Sequence, residues 1–139
     1  MKKQHLFLVV VLFASIVSTI SFSQGSKSTA KYTFYSTIED NYLVGLKSDN
    51  LGLRMSCAYF LGELKSPKAV IPLMKILNSE KHEGARIMAA WSLIKIGDPR
   101  GIHLVKQHSD FCKDCSVQSM CAFFYYHYVL SSEGKVSLN

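Results

Sequence analysis

The residues with the most direct chemical potential are two cysteines, Cys112 and Cys115, in the run Phe-Cys-Lys-Asp-Cys-Ser. Two thiols at this spacing can close a local disulfide, stay free, or supply two ligands to a metal ion. A metal site would add His108, one helical turn before Cys112, and a further ligand such as His103 or His127. Ser116 follows the motif where haem attachment needs His, and no βαβ pattern surrounds it to favour thioredoxin-like exchange. A disulfide between Cys112 and Cys115 is the expected state in an exported chain, because oxidising compartments preserve such bonds. A redox or metal-binding protein centred on this loop is the alternative functional reading.

No other constellation points to catalysis. The chain has no Ser-His-Asp order, no glycine-rich phosphate loop and no HExxH. Its acidic residues are few and fall mostly at element ends, so no general acid/base pair stands out. The expectation is a non-enzymatic protein with no cofactor and no metal. The strongest binding candidate is a row of aromatic residues. Tyr59, Trp91 and Phe123 each precede by four residues a member of the polar column Glu63, Lys95 and His127. On a helix that spacing puts each pair on one face. Aromatics of this kind anchor protein interfaces. They could equally pack edgewise between helices as an extension of the core.

The elements that must carry this row are set by an internal repeat of 32 residues. Arg54, Ala58, Leu61, Leu64 and Pro67 recur as Arg86, Ala90, Leu93, Ile96 and Pro99. A weaker third copy runs through Val117, Gln118, Ala122, Phe123, Tyr125 and Tyr128. A fixed period of this length is the mark of a stacked repeat array. Six helices in three pairs are predicted, over 38–47, 51–65, 68–78, 83–96, 100–108 and 116–130. Gly97 suits the left-handed position that closes a helix, Asp98 the next N-cap and Pro99 the first helical position. Ser66 and Pro67 repeat that joint with Lys65 in place of the glycine. Pro72 falls in the first turns of its helix, where it removes one backbone bond.

In the second helix of each pair, residues 57, 58, 61 and 64 form an apolar stripe. Its equivalents are 89, 90, 93, 96 and 121, 122, 125, 128. Stacked pairs bury such stripes against their neighbours. Cys57 and Cys121 occupy one repeat position two periods apart. With packed helices about 8–10 Å apart they stand roughly 20 Å from each other, beyond the ~7 Å that a disulfide tolerates. They read as small buried hydrophobes.

This pattern resembles the HEAT-like repeats of the phycobilisome-lyase type. The residues that carry the likeness are Arg86, Ala89, Ala90, Trp91, Leu93, Ile96, Gly97, Asp98, Pro99 and Ile102, followed by Leu104 and Val105. The preceding copy matches through Arg54, Ala58, Leu61, Gly62, Leu64, Pro67, Ala69, Val70, Pro72 and Leu73. The resemblance implies an all-α solenoid whose second helices line a concave surface, used as a protein-binding scaffold. It also implies, for some relatives, an action on bilins. Where the family usually has an acidic residue four positions before each Arg, this chain has Asn50 and His82. Its third copy has Asp114 but Gln118 in place of the Arg. A complete Asp–Arg ladder between repeats is therefore not expected.

The N-terminus reads as a secretory signal. Lys2 and Lys3 precede an uncharged, largely apolar run over 6–20, and Ser21 and Ser23 supply small residues for cleavage after Ser23. The run is shorter than the ~20 residues of a membrane-spanning helix, so no stable anchor is expected once it is removed; the alternative is an uncleaved single anchor. The net charge of +6 comes from scattered Lys and Arg, without the clustering that nucleic-acid binding needs. The predicted layout is a signal over 1–23, a Ser/Thr/Lys-rich linker over 24–37, a repeat domain over 38–130 and a polar tail over 131–139. The fold expected is a short all-α solenoid of about three HEAT-like helix pairs. The function expected is an exported (periplasmic or secreted) scaffold that binds a protein of unknown identity.

Overall fold

The computed structural model of the chain describes residues 26–134, and every regular element among them is helical. Helix α1 spans Ser26–Gly45, α2 Leu51–Glu63, α3 Val70–Ser79, α4 Glu83–Ile96, α5 Pro99–Phe111 and α6 Cys115–Ser132. A 3-10 turn over Pro67–Ala69 leads into α3. The expected all-α solenoid is thus what forms. Helix α4 packs on both α2 and α6, so the second helices of the three pairs make one continuous layer. Helices α3 and α5 pack on α4 and α6 to complete the second and third pairs. The expected signal segment lies outside the described residues. No described helix is long and apolar enough to cross a membrane.

The helix boundaries follow from capping chemistry. Asn50 accepts a hydrogen bond from the Leu53 amide at the start of α2. Asp98 accepts from Arg100 at α5, with Pro99 at the first position, and Asp114 accepts from Ser116 and Val117 at α6. Each satisfies amides that have no partner within the helix. Gly97 closes α4 in the left-handed region at φ 81°. Lys65 takes the same conformation at φ 50° after α2, at a cost of about 1–2 kcal/mol for a residue with a Cβ.

The chain divides into two compact units, one up to Thr37 and one from Ile38. Within the first unit the reading needs correction, because α1 begins at Ser26 rather than at 38. Neither proline nor glycine occurs between Ser26 and Thr37. Serine and threonine are only weakly unfavourable in a helix, and they do not end one that is already nucleated.

Most of the apolar stripe lies in the core of the repeat unit, but Leu64, expected on it, falls at the C-cap of α2 and is 39% exposed. Cys57, Ala58 and Leu61 of α2, Ala89, Ala90 and Leu93 of α4, and Cys121 of α6 are all buried. Small residues let α2 and α4 approach closely. A Cβ on Gly62 would lie 2.9 Å from the Ser92 Cα. Ser92 is itself fully buried and donates its hydroxyl to the Ala58 carbonyl at 2.8 Å, across the helix contact. The stripe breaks in the third copy. Ala122 is exposed and Phe124 is buried in its place. Ala122 and Tyr126 hold the positions at which Ala58 and Gly62 meet the next pair, and both are exposed on α6.

Candidate functional site

Parts of the expected row and column meet on the layer of second helices: Glu63, Lys95 and Trp91 in one group, Phe123 and His127 in another. Lys95 Nζ reaches back to Glu63 Oε1 at 3.3 Å, joining α4 to α2. The same ammonium lies 5.2 Å from the centre of the Trp91 ring, one turn earlier on α4. In the third pair the His127 ring sits 4.3 Å from that of Phe123, again one turn apart. Tyr59 and Phe123 are 41% and 53% exposed. Trp91 combines the two behaviours the sequence left open. It is half-buried, packed against the core and tilted onto Phe124 of α6 at 5.2 Å. Its ring therefore ties α4 to α6, with the Lys95 ammonium over it.

Sequence reasoning missed Phe124, which seats Trp91, and Phe60, which stacks on Tyr42 of α1 at 5.2 Å. Both are the second member of an aromatic doublet, Tyr59-Phe60 and Phe123-Phe124. That doubling was the available signal. Neighbouring residues on a helix point about 100° apart, so one ring can face out while the other turns towards an adjacent helix.

The arginine ladder is more complete than the sequence implied. Arg86 Nη1 pairs with Asp114 Oδ2 of the next repeat at 3.3 Å, while its Nε donates to the Leu77 carbonyl. Arg54 pairs with Glu80 at 3.4 Å and donates to the Ser48 and Asp49 carbonyls. Glu80, two residues before His82, supplies the carboxylate that His82 lacks.

The expected Cys112–Cys115 disulfide is not present: all four cysteines are free. The helix joint between the two residues keeps them apart in role. Cys112 ends α5 in extended backbone, packs against the core and accepts a hydrogen bond from Arg86 Nη2 at 3.2 Å. Cys115 opens α6 beyond the Asp114 cap and is exposed. Burial pushes the Cys121 thiol up to about 12, with Cys112 adding to the rise and Arg86 opposing it. Burial raises Cys57 as well. Both therefore stay protonated at neutral pH, as small core hydrophobes do.

Of the other residues suggested as metal ligands, His108 lines a small cavity with Cys112 but is engaged by another residue. His108 Nε2 bonds to Asn78 Oδ1 at 2.9 Å. Burial, followed by the Arg86 charge, holds its pKa below the usual imidazole value. His127 is engaged with Phe123, and His103 is exposed. Among the described residues no three His, Cys, Asp or Glu side chains cluster as a metal site would require.

The family model of HEAT repeats matches residues 41–117, which span α2 to α5 together with the end of α1 and the start of α6. No curated protein matches the chain.

Proposed function

We propose that this chain, which belongs to the HEAT-repeat family, is an exported, non-catalytic scaffold that binds a protein through its second-helix face. One observation carries the reading: two exposed rings, Tyr59 and Phe123, flank Trp91 on a face braced by the Glu63–Lys95 pair. Rings held by helix packing lose little freedom on binding, and that favours them as interface anchors. HEAT repeats often serve as protein-binding scaffolds, which agrees with the absence of a recognisable acid/base pair in the sequence. The likeness to the phycobilisome-lyase type is carried here as a likeness of repeat sequence, without an activity. The test is crosslinked capture of a partner by the full chain, repeated with Tyr59→Ala and Phe123→Ala together. The captured protein should fall away while the chain stays folded with a modestly lower melt, because both rings are partly exposed and neither belongs to the core cluster. Undiminished capture would reject the row as the contact.

Export rests on the Lys2, Lys3, apolar-run and Ser-Phe-Ser layout of the first 23 residues. N-terminal sequencing of material from the envelope or medium should begin at Gln24. A mature chain that keeps residues 6–20 would overturn the cleavage.

A further inference from the structure

A second open surface lies on the first helices of the array. The end of α1 and the length of α3 border a groove of about 860 Å³. Val44 and Ile71 line it and are 71% and 58% exposed, with Leu46 and Ile76 also in its walls. Large aliphatic side chains left this open on one surface are the usual mark of a binding site.

The charges around the groove are one-sided. Lys47, Lys68, Lys75 and Lys81 border it, with Glu80 as the only acidic residue among its lining. Lys68 is already neutralised by Glu39 and Asp40, each at 3.0 Å. Glu80 is held by Arg54 and by the His82 amide. Lys47, Lys75 and Lys81 form no ion pair among the described residues. The result is an apolar trench with three uncompensated positive charges along it.

We propose that this groove docks an acidic amphipathic helix from a partner protein. The apolar face of that helix covers Val44 and Ile71, and Asp or Glu on its flanks pair with Lys47, Lys75 and Lys81. Helix-in-groove recognition uses anchors at i, i+3, i+4 and i+7, which match an elongated apolar trench between two helices. The lysines set the sign of the partner and its rate of approach, which salt would slow. A flat bilayer would instead favour apolar side chains that protrude from a plane. The site is separate from the aromatic row, which sits on the second helices, and it does not depend on that reading.

The probe is a fluorescent synthetic peptide of about 16 residues, with Leu at the four anchor spacings and Glu elsewhere. Its counterpart carries Lys in place of every Glu. By fluorescence anisotropy with the full chain, the acidic peptide should bind at least tenfold more tightly than the basic one. Ile71→Glu should weaken it tenfold or more. The combined variant Lys47→Glu, Lys75→Glu, Lys81→Glu should reverse the preference. All four positions are exposed, so melts should match the parent chain. Absence of binding, equal binding of the two peptides, or indifference to Ile71→Glu would overturn the proposal. So would co-sedimentation of the chain with phosphatidylglycerol vesicles that the triple variant abolishes, since that result assigns the groove to lipid.

Discussion

Ala90→Asp unfolds the repeat domain, whereas Lys95→Ala leaves it folded. Ala90 is fully buried in the middle of α4, on the stripe that packs against its neighbours. A carboxylate there enters the apolar core cluster, and the Arg86 guanidinium one turn earlier is already engaged by Asp114, the Leu77 carbonyl and Cys112. Leaving a charge buried and unpaired costs about 3–5 kcal/mol, and overfilling a close helix contact adds about 1–3 kcal/mol. Small domains are held by only about 5–15 kcal/mol in all. Lys95→Ala removes a partly exposed ion pair with Glu63 and the contact over Trp91. Such pairs are worth about 0–1 kcal/mol and such ring contacts about 0.5–1 kcal/mol. Alanine's helix propensity returns part of that loss. Circular dichroism melts should show a shift of a few degrees for Lys95→Ala and no cooperative transition for Ala90→Asp. Equal melting of the two variants would mean that the buried and exposed faces of α4 are exchanged.

The parts of the fold that repeat were the legible parts. The 32-residue period carried the second helices, their stripe and the joint at Gly97, Asp98 and Pro99, because each copy supports the reading of the others. Features that break the period were harder to see. The start of α1 at Ser26 lies before the first copy, in a segment whose composition is compatible with either linker or helix. Ala122 follows the stripe in sequence, yet it is exposed among the described residues. The Arg86–Asp114 pair and the Arg86–Cys112 contact join residues 28 and 26 positions apart. A local reading of Cys112 and Cys115 therefore saw a pair of thiols and missed the guanidinium that engages one of them. The row of Tyr59, Trp91 and Phe123 was visible from spacing alone. That Trp91 leans on Phe124 was not, since it depends on how closely α4 and α6 approach.

That lean sharpens what removing Trp91 should do. Full burial of a large aromatic makes its truncation cost about 3–5 kcal/mol, and Trp91 is only partly buried. Trp91→Ala should therefore lower the melting temperature while leaving the chain helical at 25 °C. Its effect on binding should be larger in proportion. Trp91 stands between Tyr59 and Phe123 on the middle second helix, and interface energy concentrates in central Trp, Tyr and Arg residues, at about 2 kcal/mol or more each. At ~1.4 kcal/mol per decade that is about thirtyfold in affinity. The decisive measurement is a titration of the captured partner against the parent chain and Trp91→Ala, at a temperature where circular dichroism finds both folded. A loss of about thirtyfold or more is the expected result, and a dissociation constant that stays the same in a folded Trp91→Ala chain would contradict the second-helix face as the place where the partner binds.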